Sequence, residues 1–289
     1  MMTVKTPLSS LSSEFAGLTP EISRTSSVAG DKRSLIAAYG SVNTTISLPT
    51  LQLPLANQLW KEFRSNLPSS SPENDLTIKE GLVAEFINFC ITRSSDDTHC
   101  DDPAAVLQFL ESLLEAFEQD FLGGNDVHSA VSDLDTQHKT PIIKAYFAAY
   151  GTLSRKPRRQ PSILLESVTD GPSRIYAIFG GQGNDEKYFA DLKDTYATYT
   201  DILRRCVFSG ARLFEDLAGA SVFKTHFQHG FALMDWLEKP DSEPETSYLL
   251  SAPVSMPLIG LLQMCHFIVA CQTMGLSPRE MHGYLSGVT

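Results

Sequence analysis

The sequence predicts a mostly helical first half followed by a strand–glycine loop–helix unit, the unit from which parallel α/β sheets are assembled. Three observations carry this. Capped amphipathic stripes recur between residues 34 and 154. The apolar run Ile175-Tyr-Ala-Ile-Phe179 has no polar face, as a strand covered on both sides would, and it breaks into Gly180-Gly181-Gln182-Gly183 just before a helical pattern begins. A second run, Tyr284 to Thr289, has strand character, and its Leu285–Val288 portion is expected beside the first in one sheet.

Residues 1–33 are rich in Ser and Thr with few large apolar groups, so a mobile tail is expected. Thr44 to Leu48 fits a short strand. Leu55, Leu59, Phe63 and Leu67 recur every four residues, an amphipathic helix that ends at Pro68, and a polar linker runs on to Asp75. Thr77-Ile-Lys-Glu80 is a capping box with Leu82, Val83, Phe86 and Cys90 as the stripe behind it. Asp102-Pro103 pairs an N-cap with proline at the first helical position; Val106, Leu110, Leu113, Leu114, Phe117 and Phe121 follow, and Gly123-Gly124 ends the helix. Thr140-Pro141 opens a further helix by the same logic, with Ile142, Tyr146 and Ala149 inward.

The basic run Arg155-Lys-Pro-Arg-Arg-Gln-Pro161 begins a solvated linker, placed at residues 155–170 between a helical region (34–154) and a second region (171–289). Beyond the glycine loop, helical patterns run from Tyr188 to Tyr199, from Ile202 to Leu217 and from Phe223 to Leu237. Lys239 to Ser247, with two prolines and several acids, reads as a surface loop. Ser277-Pro278 caps a short helix.

The chain has 289 residues, a hydrophobic content of 42% and a formal net charge of -11. The size suffices for a substantial core, and the acidic balance argues against nucleic acid as a partner. Five scattered cysteines without a C-x-x-C pair point to reduced thiols in the cytosol rather than a disulfide framework. Residues 257–275 carry no charge, yet they include Gln263, His266 and Gln272 and no basic residues flank their start, so a buried core helix is expected in place of a membrane span.

Glycines let a backbone approach a ligand closely, and the amides of a strand-to-helix loop can face an anion or a developing oxyanion. Gly180-Gly181-Gln182-Gly183 is not a P-loop, because no Gly-Lys-Ser/Thr follows, and Glu186 replaces the third glycine of a dinucleotide fingerprint. A structural tight turn is the competing explanation. Cys265-His266 is expected to pack in the core, since neighbouring helix residues point in different directions. His226 and His229, three apart, share a helix face on this reading but have no visible third ligand, and no metal is expected. His99-Cys100-Asp101-Asp102 reads as a loop before a cap. Gly283-Tyr-Leu-Ser286-Gly287 has its serine one place late for a nucleophile elbow.

Residues 176–199, with Ala-Ile-Phe-Gly-Gly-Gln-Gly-Asn, Tyr188-Phe189 and Tyr196-x-x-Tyr199, resemble the N-terminal acetyltransferase region of fungal type I fatty acid synthase β subunits. Tyr248-Leu-Leu-Ser-Ala-Pro-Val-Ser-Met-Pro-Leu-Ile-Gly260 resembles the segment before that family's long core helix, and residues 275–289 resemble the strand leading into its nucleophile elbow. Ser47-Leu-Pro-Thr50, Asn57-Gln-Leu59 and Gly124-Asn-Asp-Val-His128 match weaker patterns, so the resemblance spans about residues 40–289.

The resemblance implies an α/β fold: an incomplete acyltransferase-type parallel sheet flanked by helices, behind a mostly helical N-terminal region. It implies transfer of an acetyl starter from acetyl-CoA, through a serine, to the phosphopantetheine thiol of acyl carrier protein, in a cytoplasmic complex with the fatty acid synthase α subunit. Gln182, with Gly181 and Gly183 beside the substrate, matches the loop that helps form the oxyanion hole. The family's Gly-His-Ser-Gln-Gly elbow would follow Thr289, and its catalytic histidine lies further on, so the nucleophile is absent from these residues. The expectation is a fragment, a truncated gene model or a degenerate copy. Two alternatives stay open: a noncatalytic assembly piece, and a β subunit making short acyl starters for secondary metabolism.

Overall fold

A β-hairpin opens the described part of the chain: Lys32–Tyr39 (β1) pairs antiparallel with Val42–Pro49 (β2), with Leu35 opposite Ile46 and a turn at Gly40, whose φ is +59°. The computed structural model describes residues 31–67, 78–95, 102–154, 163–180 and 187–288. Leu35, Ala37, Ile46 and Leu48 alternate onto one buried face, as the two-residue period of a strand requires. The expected strand at Thr44–Leu48 is present. Its partner went unread, because Leu35-Ile-Ala-Ala38 shows no alternation; Ile36 is 65% exposed within it.

Helices cover the hairpin. After a 3-10 turn at Thr50–Gln52, Leu53–Asn66 (α1) buries Ala56, Leu59, Trp60 and Phe63. Lys79–Ser95 (α2) buries Leu82, Val83, Phe86 and Cys90; Thr77, the expected cap, lies outside the described residues. In Pro103–Asp120 (α3), the Asp102 carboxylate accepts from the Ala105 amide at 3.0 Å, and the expected stripe faces inward. Gly123 and Gly124 close the turn at φ +57° and +83°. Val127–Ala130 (α4) leads to Thr136–Thr152 (α5), whose cap is Asp135, not Thr140. The Asp135 carboxylate accepts from the His138 amide at 2.9 Å and meets the His138 ring at 2.7 Å, so the helix starts a turn earlier than expected and Pro141 falls inside it. The first core is aromatic: Trp60 and Phe63 meet Phe86, while Tyr146 and Tyr150 both donate to Glu118 Oε1, at 2.7 and 2.8 Å.

Ile163–Thr169 (α6) is helical where a linker was expected; residues 155–162 lie outside the described residues. Ile175–Ala177 (β3) is followed by Lys187–Gly219 (α7), which joins the two expected helices across a non-helical Tyr199 at φ -118°, ψ 27°. The expected helix Phe223–Leu237 is not formed as one piece. Turns occupy its first part, Gly230 takes φ +68°, and only Leu233–Glu238 (α8) is helical. A 3-10 turn at Pro240–Ser242 and the short Thr246–Leu249 (α9) precede Ala252–Thr273 (α10). Pro278–His282 (α11) carries the full capping box between Ser277 and Glu280, and Leu285–Val288 (β4) follows.

The second core forms where α10 packs along α7 and joins Val254, Leu258, Leu261, Leu262 and Cys265 to Leu192, Tyr196, Leu203 and Val207. By length and composition α10 would suffice to cross a membrane; in the fold its buried residues face α7 and the α8–α9 segment. The two cores meet at Tyr199 and Ile202, which pack against both, and α5 lies on α7. The fold is therefore mostly helical, with two small sheets among the described residues. β3 and β4 pair in parallel, as expected, but β3 is neither long nor central: it ends at Ala177, and Tyr176 and Ile178 are 55% and 75% exposed. With one neighbouring strand, an apolar run keeps an open side.

The α5–α7 contact makes two tests available. A Cβ at Gly151 would overlap the Cβ of Asp201 and stand 3.4 Å from its Cα. Gly151→Ala is expected to cost about 1–3 kcal/mol by overpacking, measured as a lower midpoint in denaturant; an unchanged midpoint would contradict this contact. Asp201 itself has its pKa raised by burial, against the opposing pull of Arg204 and Lys144. A folded pKa above the unfolded one means the ionised carboxylate costs stability at neutral pH, and the cost disappears as pH falls below the unfolded value. Asp201→Asn should therefore melt higher than wild type at pH 7, with the gap closing on acidification.

Candidate functional site

The parallel strands β3 and β4 run to the same edge of their ladder, in register from Ile175 opposite Leu285 to Ala177 opposite Val288, with an irregularity between Ile175 and Tyr176. Gly287 lets the pair close: a Cβ there would stand 3.1 Å from Tyr176 Cδ1. Beyond β3 the backbone continues through Ile178 and Phe179 to Gly180. Gly181, Gln182 and Gly183 lie outside the described residues, and the chain resumes at Lys187 as the start of α7. The described flanks are the C-terminal end of a strand in a parallel pair and the beginning of a helix, and open α/β sheets hold ligands at such strand ends.

Helix α10 contacts the chain where it leaves β3. Gln263 donates its side-chain amide to the Gly180 carbonyl at 2.8 Å, and one turn later the Phe267 ring lies 6.0 Å from the Phe179 ring. Residues four apart share a helix face, so two successive side chains of α10 meet two successive residues of the exiting strand. The sequence reading did not single out Gln263. Its signal was a carboxamide within an uncharged apolar run; nothing local indicated a partner 83 positions away.

The remaining candidates are structural. Cys265 is buried, with its thiol pushed up to about 12 by burial and by Cys206. Its neighbour His266 points elsewhere, with Nε2 3.4 Å from Thr195 Oγ1, so the two do not form a nucleophile–base pair. His226 and His229 sit in the turns before α8, not on a helix; the His229 ring packs edge-on against Tyr248 at 4.9 Å. Among the described residues no group of three acidic, histidine or cysteine side chains is placed to hold a metal. His99 and Cys100 lie outside the described residues, and Asp102 serves as a cap. Ser286 sits within β4. At the joint between the two cores, His128 Nε2 lies 2.9 Å from Tyr199 Oη, and both residues help to line a cleft of roughly 450 Å³ with Lys139, Asp194 and Thr198.

A family model described as the N-terminal domain in fatty acid synthase subunit beta matches residues 31–153. Fatty acid synthase subunit beta of Saccharomyces cerevisiae is 31% identical over 273 residues, covering 89% of this chain and 13% of its own length. Fatty acid synthase beta subunit TOXC of Cochliobolus carbonum is 30% identical over 87% of this chain and 12% of its own length. Fatty acid synthase subunit beta of Schizosaccharomyces pombe is 30% identical over 89% of this chain and 12% of its own length. The chain thus spans between 12% and 13% of the length of these relatives.

Burial makes a chemical prediction about the thiols. It raises the pKa of Cys90 and Cys265 well above that of a free thiol and lifts Cys271 to about 11; it raises Cys206 as well, but that side chain is only half-buried where the other three are buried. Since the thiolate is the reactive form, iodoacetamide at pH 8 should modify Cys206 ahead of Cys90, Cys265 and Cys271 in the folded chain, with all five cysteines reacting in denaturant. Peptide mapping showing Cys265 alkylated as fast as Cys206 would place it in a different environment.

Proposed function

This chain belongs to the fatty acid synthase β-subunit family, and from that premise we propose that its residues from Ile175 onward supply the oxyanion-binding side of an acyltransferase site. The reaction is transfer of an acetyl starter from acetyl-CoA to acyl carrier protein, in a complex with the fatty acid synthase α subunit. The observation that carries the proposal is the parallel β3–β4 pair, from whose C-terminal edge the chain runs on to Gly180.

Adjacent strands lie about 4.8 Å apart. A nucleophile elbow continuing from β4, as the family pattern has it, therefore stands next to a loop continuing from β3. The serine hydroxyl attacks the thioester carbonyl and gives its proton to histidine. The resulting tetrahedral oxyanion is held by loop amides and the Gln182 side chain, and it collapses as coenzyme A leaves, taking the proton. The phosphopantetheine thiol then attacks the acetyl-serine by the same route and frees the serine. In this chain's own terms, β3 aims the loop, the glycines admit the substrate, and Gln182 offers a donor where charge develops. The wider parallel sheet flanked by helices belongs to the same proposal.

The test joins residues 1–289 to the elbow-bearing remainder of a β subunit of the family. With radiolabelled acetyl-CoA the joined chain should take a covalent label. Gln182→Ala should slow labelling by about 10²–10³, the usual loss for an oxyanion-hole donor, without moving the labelled residue. A joined, folded chain that takes no label would overturn the proposal.

A further inference from the structure

We infer that His128 is a proton-sensitive interlock between the two cores: one imidazole joins α4, α7 and α10, and it holds them more tightly when it carries a second proton. The inference does not depend on the acyl transfer proposed above. His128 Nε2 lies 2.9 Å from Tyr199 Oη on α7. Its Nδ1 lies 3.5 Å from Thr273 Oγ1 on α10 and 3.5 Å from Asp126 Oδ1 at the cap of α4. The Phe147 ring of α5 stands 5.8 Å from the imidazole, so groups from four helices surround one ring. The contacts to Tyr199 and Thr273 are part-buried, which limits competition from water.

The partners decide which nitrogen of the neutral ring carries the proton. Thr273 already donates its hydroxyl hydrogen to the Val269 carbonyl at 2.9 Å, so toward His128 it can only accept. An ionised Asp126 carboxylate likewise only accepts. Nδ1 is therefore the N–H, and Nε2 receives the Tyr199 hydroxyl as donor. A second proton, on Nε2, turns that bond around: the imidazolium donates and Tyr199 Oη accepts, in a charge-assisted bond stronger than the neutral one. The surrounding charges favour the change. Asp126 is the charge in contact with the ring, and its Oδ1 is itself held by the Ser129 amide at 3.0 Å. Tyr199 stays a neutral phenol, its pKa raised by burial. Helix α10 has no acid, lysine or arginine, and its His266 is turned to Thr195. In the cleft beyond, Lys139 of α5 and Asp194 of α7 oppose each other in sign. A ring that binds its proton more tightly folded than unfolded adds stability. That stability is fully present below the unfolded value, about 6.5 for histidine, and fades as pH rises through the folded one.

The test compares the 289-residue chain with His128→Gln and Asp126→Asn between pH 5.5 and pH 8. Glutamine offers Tyr199 an acceptor that cannot take a charge. Asparagine keeps the oxygen that caps α4 and removes the carboxylate. The gap in melting temperature between wild type and His128→Gln should widen by about 2 °C from pH 8 to pH 5.5, the scale of one such interaction in a chain of this size. Against an Asp126→Asn background the same gap should widen less. Nitrogen NMR of the imidazole reads the ring directly: at pH 8 His128 should show a protonated Nδ1 and a bare Nε2. Its titration midpoint should lie higher in wild type than in Asp126→Asn, a comparison that stands even where the glutamine variant does not fold. A melting gap that is flat in pH, a neutral ring protonated on Nε2, or a midpoint unmoved by Asp126→Asn would each overturn the inference.

Discussion

A helix without a single charged residue has to be covered, and the second half of this fold is organised by the covering of α10. Its partner is α7, about 50 Å long at 1.5 Å per residue. Leu192, Tyr196, Leu203, Val207 and Ala211 line the buried side of α7. The helices approach closely because Gly210 leaves room for Leu261, whose Cδ1 would stand 3.2 Å from a Cβ at that position. The turns before α8 add Phe227 and Phe231 around Trp236, and the Tyr188 hydroxyl donates to the Leu249 carbonyl at 2.6 Å. Removing α10 from this sequence would leave α7, α8 and the loop exit without a common surface.

The same long helix ties the two halves together, and it does so by breaking. At Tyr199 the backbone leaves helical geometry, and the ring turns into the first core, edge-on to Phe147 at 5.2 Å and with its hydroxyl on His128. Thr273, the last residue of α10, lies 3.5 Å from the other nitrogen of the same imidazole. A straight α7 would keep Tyr199 in the stripe that faces α10. Two turns of geometry on either side of one residue thus let a single helix serve two cores.

Elements with local signals were legible in the sequence. Asp102 and Ser277 cap the helices they were expected to cap, the 82–90 and 106–117 stripes face inward, and the two strands pair in parallel. The failures have local causes too. Phe223, Phe227 and Phe231 recur every fourth residue and so imitate a helix, yet these aromatics converge on Phe214 from a chain of turns that Gly230 closes. Thr140-Pro141 looks like a helix start, but the Asp135 carboxylate, with two bonds to His138, is the stronger cap. Of the candidate site, the strand was readable because its apolar run is contiguous. The Gln263 anchor was not, because its meaning is created by packing.

A three-residue strand with a single partner among the described residues is a weak platform for the acyl transfer proposed here. Isolated two-stranded ladders are marginal in water, and β3 exposes Tyr176 and Ile178. Stabilising an oxyanion demands donors that are already oriented, since any reorganisation is charged against the barrier. The rigidity of the loop entrance must then come from outside the ladder. The element with rigidity to lend is α10, whose position is over-determined by the second core and which reaches the strand exit through both an aromatic contact and a hydrogen bond. An apolar helix selected for burial thereby also fixes the polar backbone at the edge of the sheet: the energy that holds α10 in place is hydrophobic, and what it delivers at Gly180 is directional.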